Sequence, residues 1–247
     1  MKKFLGIMAL SVLMLVGCGG NNTADTEEGT PPKEDEKTNQ AQTEDQTKDK
    51  EVTEDKKEDA KNENVEETGE FSVPEIGDFK IVGTGYNDEV GIDGKDTPLK
   101  PVQFGSMNLY INQFHIMDVT PNEEAKALYF NDQDKVRAIV VDLKAENTAE
   151  GDVTFDPNQA VMVTDTGEQI EAEMGLMGDV GGDFLGKVTK EGKAWWLLKK
   201  LDKDVKSVTM IISPPYGTQD FEDQGEEKRL KFEVLNWEES KKRDQGQ

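Results

Sequence analysis

The sequence predicts an all-β protein, an antiparallel two-sheet sandwich carried behind a disordered acidic tether. Three observations favour this fold class. The segment 136–147 alternates apolar and polar residues over most of its length. Short apolar stretches separated by Gly, Asp, Asn and Pro recur through residues 71–247. Helical periodicity is scarce there, and short strands at such spacing are typical of a sandwich.

The segment 136–147 predicts the central strand. Its second half has a period of two, so one face is buried and the other is polar. The residues of the buried face are Ile139, Val141, Leu143 and Ala145. At the start of the segment the opposite face is also apolar, as expected of a strand that is covered on both sides. The residues there are Val136, Ala138 and Val140.

The N-terminus predicts a lipoprotein signal peptide over residues 1–17. Lys2 and Lys3 precede an apolar run from Phe4 to Val16, which is too short to span a bilayer. The run ends in Leu-Val-Gly-Cys, which resembles the lipobox of bacterial lipoproteins. That resemblance implies cleavage between Gly17 and Cys18. The alternative is an ordinary secretory signal with an incidental cysteine.

The lipobox resemblance also implies a diacylglyceryl anchor on Cys18. Two acyl chains give stable attachment where one is marginal. We therefore expect the protein to be held by lipid on the extracytoplasmic face of the cell membrane. Cys18 is the only cysteine, so once lipidated it leaves no thiol for a disulfide, a metal or catalysis.

Residues 18–70 predict a disordered linker after the lipidated cysteine. Residues 19–70 contain no Phe, Tyr, Trp, Leu, Ile or Met and hold 18 acidic residues against 7 basic ones. Such a segment cannot bury enough apolar surface to offset its chain entropy. We interpret it as a solvated spacer; the alternative is an acidic recognition tail.

Residues 71–247 predict one sandwich domain, with 34 acidic residues against 20 basic ones. This balance excludes nucleic acid as an expected partner, because phosphates require Lys and Arg. The pattern predicts strands at 79–82, 107–119, 136–147, 159–164, 168–172, 188–189, 193–199, 207–213 and 229–237. It adds one helical turn at 123–128, a Gly-rich loop at 173–186, and a turn at Glu191–Gly192. A change of phase within 107–119 predicts either a β-bulge or a strand that passes between the two sheets.

Four segments in order resemble the immunoglobulin-like domains of unknown function found on many Gram-positive lipoproteins. They are 107–119, 140–148, 161–169 and 190–198. The resemblance covers about residues 100–236 and rests on strands and turns. It implies the sandwich fold and carries over no site residue.

Candidate catalytic chemistry is sparse, and we expect no enzyme, no metal and no cofactor. His115 is the only histidine, and no nucleophile motif accompanies it. Zn, Cu and Fe sites need His and Cys. The P-loop-like spacing at 181–187 lacks the required Ser or Thr, so we treat it as accidental. Acidic clusters at 87–96, 132–134, 179–183 and 220–223 leave weak Ca²⁺ binding open as an alternative.

The candidate interaction surface combines a tryptophan pair with the Gly-rich loop. Trp195 and Trp196 are adjacent, so in a strand they face opposite ways: one is core, and the other is either covered by the loop or exposed. The loop supplies Met174, Met177 and Phe184, and methionines suit an adaptable surface. The sequence thus predicts a lipid-anchored binding module, with an envelope protein as the expected partner. The alternatives are a small-ligand or Ca²⁺-binding lipoprotein and a cell-wall hydrolase.

Overall fold

The protein folds as an all-β sandwich, as the sequence predicts. The structure is a computed structural model that describes residues 65–95 and 97–246. Residues 1–17, including Gly17, lie outside this range, as do Cys18 and the linker up to residue 64. None of the helices in the described ranges is long and apolar enough to cross a bilayer.

Antiparallel strands are the main secondary structure of the described residues. The strands are β1 (Glu70–Val73), β2 (Gly77–Tyr86), β3 (Val102–Phe104), β4 (Met107–Pro121), β5 (Val136–Asn147), β6 (Val153–Thr154), β7 (Val161–Thr164), β8 (Gln169–Ile170), β9 (Asp183–Phe184), β10 (Thr189–Leu198), β11 (Ser207–Ile212), β12 (Tyr216–Gly217) and β13 (Lys228–Leu235). The helices are α1 (Val65–Thr68), α2 (Glu123–Tyr129) and α3 (Trp237–Asp244). Single 3-10 turns occupy Pro157–Gln159 and Met174–Leu176.

One long sheet forms both layers of the sandwich. Its order is β10-β5-β4-β2-β13-β11-β7-β8, with β1 added to β2 and β3 added to β4. Strand β2 belongs to both layers, since its first half pairs with β1 and its last residues pair with β13. A three-stranded sheet, β12-β6-β9, lies beside it. The sheet therefore curls so that its inner face encloses the main core.

The two ends of the long sheet are held together by Glu168, at the turn before β8. Its buried carboxylate accepts hydrogen bonds from the backbone N–H groups of Lys199 and Lys200, at 2.8 and 3.2 Å. It also accepts one from the Thr166 hydroxyl at 3.3 Å. A buried carboxylate needs such donors, and here they close the β8 and β10 ends of the sheet.

A second apolar layer covers the outer face of β2, β4, β5 and β10. It is built around Phe79, Phe130 and Trp195, with α2 packed over the sheet and Phe71 of β1 extending the layer along the sheet. Helix α2 begins where the sequence predicts a start, because the Asn122 side chain accepts a hydrogen bond from the backbone N–H of Ala125 at 2.8 Å. The prediction that the start of β5 is covered on both sides is confirmed, since Val136, Ala138 and Val140 lie in this layer.

Three differences from the predicted elements have physical reasons. The predicted turn at Glu191–Gly192 is wrong, because β10 runs unbroken through it and pairs with β5. Helix α3 was missed, although the side chains of Asn236 and Glu239 form a capping box at its start. Strand β1 was missed because its four residues carry too short a pattern. The predicted bulge is confirmed: the β4–β5 register shifts between Ile111 and Gln113.

Candidate interaction surface

The two tryptophans of β10 point into different layers. Trp196 is fully buried in the main core, where its indole N–H donates to the Ala160 carbonyl at 2.6 Å. Trp195 lies in the outer layer, edge-on to Phe79 with ring centroids 5.8 Å apart. Phe130, which follows α2, lies 6.5 Å from Trp195. Trp195 is therefore a covered aromatic residue at the base of the outer layer.

Three of the five residues expected on an exposed interaction surface are buried. Trp195 is 7% exposed, while Trp196 and Phe184 are fully buried. Phe184 is buried because its strand, β9, pairs with β6 and turns the ring into the main core. The placement of Phe184 on the interaction surface is therefore corrected, whereas the tryptophan pair lies as expected, with Trp196 in the core and Trp195 covered. Met174 is 73% exposed, and Met177 is partly exposed, so both stay at the surface.

The Gly-rich loop covers Trp195 by pairing with the free edge of β10. The backbone N–H of Glu173 donates to the Trp195 carbonyl at 2.7 Å, and that of Gly178 donates to the Lys193 carbonyl at 2.6 Å. Gly178 also lies directly against Gly192. The absence of a side chain at Gly192 thus permits close approach of the loop backbone, which explains a glycine inside a strand.

We predict that Gly192→Ala lifts the loop from β10. A β-carbon at position 192 would lie 2.9 Å from the Asp179 backbone nitrogen and 3.0 Å from the Gly178 carbonyl carbon, so one backbone must shift. We expect a loss of about 1–3 kcal/mol of stability and greater acrylamide quenching of Trp195, measured in a Trp237→Phe background. Gly151→Ala is the matched control, because nothing lies within 4 Å of its β-carbon position. Unchanged quenching in Gly192→Ala would show that the loop does not shield Trp195.

Exposed apolar side chains flank the contact between α2 and the loop. We call this surface the outer patch, and its residues are Leu128, Tyr129, Met174, Leu176 and Met177. The Gly175 backbone lies against the Tyr129 ring, since a β-carbon there would be 3.3 Å from Tyr129 Cδ1. Leu128, beside Tyr129, is 63% exposed, and Met174, beside Gly175, is 73% exposed. Tyr129 and Leu176 pack against the outer layer. The outer patch is thus an apolar surface on a firmly packed base.

The charged residues beside the outer patch are mostly acidic. Glu123 and Glu124 lie on the first turn of α2, and Glu173 begins the loop. Lys126 makes ion pairs with Glu123 at 2.7 Å and with Asp134 at 2.8 Å. Hydrogen bonds from the Lys126 ammonium to Asp134 and Glu123 raise its pKa above the ordinary value. The rim of the patch therefore carries a negative excess, which suits a partner with basic residues around an apolar contact.

His115 lies on β4 and is partly buried. Its Nδ1 is 3.4 Å from the Thr84 hydroxyl oxygen. Burial lowers the pKa of His115 to about 4; the nearby Lys193 ammonium acts in the same direction, and the Asp244 carboxylate opposes it. The imidazole is therefore neutral at pH 7.

We predict that His115 makes stability fall with acid below pH 6.5. Because its folded pKa is near 4, the unfolded chain binds the extra proton between pH 6.5 and 4. The contribution of His115 to the free energy of unfolding is fully present above pH 6.5 and is lost as the pH approaches 4. Its total size is about 2–3 kcal/mol. Urea unfolding of the wild type and of His115→Gln at pH 7 and pH 4.5 measures it. The difference in stability between the two proteins should shrink at the lower pH; a difference that does not change with pH contradicts the prediction.

A groove of about 800 Å³ with a mixed polar and apolar lining lies across β1, β2, β4 and β5. Its floor carries one cross-strand row of alternating charge, Glu70, Lys80, Asp118 and Arg137. The Lys80 ammonium lies 2.8 Å from the Glu70 carboxylate, and Arg137 donates to Asp118 Oδ2 at 3.0 Å. The row is neutral overall, and each of its charges has a partner.

The acidic clusters that left Ca²⁺ binding open do not converge. Within residues 65–95 and 97–246, no three Asp, Glu, His or Cys side chains come together in a way that could hold a metal ion. Asp96, in the first cluster, lies outside the described residues. Other carboxylates of these clusters serve the fold: Asp183 accepts a hydrogen bond from the Thr154 hydroxyl, and Asp134 forms an ion pair with Lys126 at 2.8 Å.

Comparison with known proteins identifies relatives without an assigned activity. No family model matches this sequence, so the specific immunoglobulin-like family resemblance is not confirmed. The chain is 28% identical over 183 residues to the SPbeta prophage-derived uncharacterized lipoprotein YonS of Bacillus subtilis strain 168, which covers 71% of this chain and 81% of that protein.

Two solved structures are more distantly similar. One is a functionally unknown protein from Listeria monocytogenes EGD-e, with 13% identity and a TM-score of 0.37, covering 45% of this chain and 68% of that one. The other is the yjhA protein from Bacillus subtilis, with 11% identity and a TM-score of 0.32, covering 47% of this chain and 78% of that one. No site residue follows from these comparisons.

Proposed function

We propose that this chain is a lipid-anchored lipoprotein of the extracytoplasmic face of the membrane whose sandwich is a non-catalytic protein-binding module. The outer patch is the docking surface, and the partner is an envelope protein with basic residues around an apolar contact. The exposure of Leu128 and Met174 above a packed aromatic layer is the observation that carries this proposal.

The anchor rests on the N-terminal sequence and on the relative. Leu15, Val16 and Gly17 precede Cys18 as in a lipobox, and YonS, 28% identical, is described as a lipoprotein. A domain on a long acidic linker stands clear of an anionic surface and can reach a neighbour in the envelope. The anchor and linker thus suit a domain that works by contact with other proteins.

The outer patch has the properties of a binding surface. Its exposed members are Leu128 and Met174, and methionine adapts its shape to a partner at little cost. The Tyr129 and Leu176 side chains, packed below, keep the surface in place. An exposed apolar surface on a rigid base needs little ordering when a partner covers it, and that lowers the entropic cost of association.

Site-specific photocrosslinking in cells tests the proposal. The photoreactive residue p-benzoylphenylalanine is placed at position 128 or 174 of the full chain, and at position 185 as the control. Leu185 is 66% exposed, which matches Leu128 at 63%, but it lies beside β9. We expect one protein adduct shared by positions 128 and 174 and absent at position 185. Adducts at all three positions, or at none, would contradict a specific docking surface.

A second candidate, a small-ligand lipoprotein, is favoured by the groove across β1, β2, β4 and β5. Its volume of about 800 Å³ falls within the range of ligand pockets. Its alternating charges suit a zwitterionic molecule, such as a free amino acid. The two charged groups of that molecule would form ion pairs with charged side chains of the row. A rise in melting temperature with a mixture of amino acids, lost in Arg137→Ala, would support it. No rise at millimolar concentration would exclude it.

A further inference from the structure

Phe221 is an exposed aromatic residue held in a strained backbone conformation. Phe221 is 74% exposed, more than any other large apolar residue that the structure describes. Its φ of 58° lies in the left-handed region, which is an outlier for a bulky side chain. Glycine or asparagine would relieve the strain at this position. The fold alone therefore gives no reason for a phenylalanine here.

The surrounding hairpin, residues 216–224, keeps this conformation in place, and we call it the aromatic tip. The Phe221 N–H donates to the Gly217 carbonyl at 2.9 Å, and the Gly217 N–H donates to the Glu222 carbonyl at 3.0 Å. The Gln224 N–H donates to the Pro215 carbonyl at 2.7 Å, which joins the two ends of the hairpin. Tyr216 lies under Phe221, with ring centroids 6.1 Å apart and planes 26° apart. The ring is thus presented to solvent from a rigid support.

The charge of this region is entirely negative. Residues 213–227 contain five acidic residues and no Lys or Arg. They are Asp220, Glu222, Asp223, Glu226 and Glu227. Only Glu227 makes an ion pair within the described residues, with Arg229 at 2.8 Å. Such a surface is repelled by anionic lipids and anionic polymers and attracts a cationic partner.

We propose that the aromatic tip is a second docking element, which inserts Phe221 into an apolar pocket rimmed by Lys and Arg on a partner protein. Phe is among the residues enriched at protein–protein interfaces, and a ring held on a rigid support costs little to order on binding. The acidic neighbours steer and orient the encounter with the basic rim. The backbone strain at Phe221 persists because binding, rather than folding, uses the ring. This inference is independent of the outer patch.

Photocrosslinking from position 219 in cells, followed by binding measurements, tests the proposal. Gln219 is exposed on the tip, and replacing it by p-benzoylphenylalanine in the full chain leaves Phe221 intact. We expect an adduct with one protein. That protein, purified, should bind the full chain at least tenfold more weakly when Phe221 is changed to Gly. Glu222→Gln, Asp223→Asn and Glu226→Gln together should weaken binding and reduce its dependence on salt.

The folding of Phe221→Gly separates binding from structure. Because glycine accepts a positive φ, its melting temperature should equal or exceed that of the wild type. Phe221→Leu, which keeps an apolar side chain, should bind with intermediate affinity. The proposal is overturned by an adduct with lipid alone, by an adduct with a second copy of this chain, or by no adduct. It is also overturned if Phe221→Gly binds the partner with wild-type affinity. A Phe221→Gly protein that loses binding and also melts below the wild type would overturn it as well.

Discussion

Val141→Asp unfolds the sandwich. Val141 is fully buried on β5, between Phe114 of β4 and Ala194 of β10. A carboxylate there has no donor or cation to satisfy it, so it must remain unsolvated or force the layers apart. We expect a loss of about 4 kcal/mol or more, which is a large part of the total stability of about 5–15 kcal/mol for an ordinary domain. Urea unfolding followed by circular dichroism measures it.

The matched control for this change is Val188→Asp. Val188 carries the same side chain but is 36% exposed, just before β10, so its carboxylate can remain in water. We expect its unfolding midpoint to stay close to that of the wild type. A Val141→Asp protein that unfolds at the same urea concentration as Val188→Asp would show that β5 does not form the centre of the core.

Cys18→Ala abolishes lipid attachment. The thiol of Cys18 is the only atom in the chain that can carry a thioether-linked diacylglyceryl group. Without it, the protein should either leave the cell or keep its signal peptide uncleaved. We expect complete loss of label from radioactive palmitate, together with loss of the protein from washed membranes. The measurement uses the full chain expressed in a Gram-positive host.

Asn21→Ala provides the control for Cys18→Ala, because it changes a residue near the expected cleavage site and leaves the Leu-Val-Gly-Cys sequence intact. It should be labelled like the wild type. Palmitate label retained by Cys18→Ala would mean that the lipid is carried elsewhere, and the lipoprotein proposal would then be wrong.

The fold could be predicted where a strand is long and strongly patterned. Strand β5 begins and ends at the predicted residues, Val136 and Asn147, because an apolar start and an alternating second half together mark all twelve residues. The bulge in β4 could be predicted from the change of phase between Ile111 and Phe114. In both cases the signal is local: one buried face fixes the register of the whole strand.

The interaction surface could be predicted only in part, because exposure depends on packing between distant segments. Phe184 sits in a Gly-rich loop that resembles a surface segment, yet pairing of β9 with β6 turns it into the core. Gly192 carries a turn signal, but its glycine serves the close approach of Gly178. The exposure of Leu128 could not be predicted, because a short helix has too few turns to show which side is unpacked. The positive φ of Phe221 has no sequence signal.

The most direct test of the proposed function is the affinity of the crosslinked partner for the outer patch. Titration calorimetry compares the wild-type chain with the Leu128→Glu/Met174→Glu double variant and with Leu185→Glu. We predict that the double variant binds at least tenfold more weakly, equivalent to about 1.4 kcal/mol or more, and that Leu185→Glu binds like the wild type. Equal affinity of the double variant and the wild type, with both folded, would contradict the assignment of the outer patch as the binding surface.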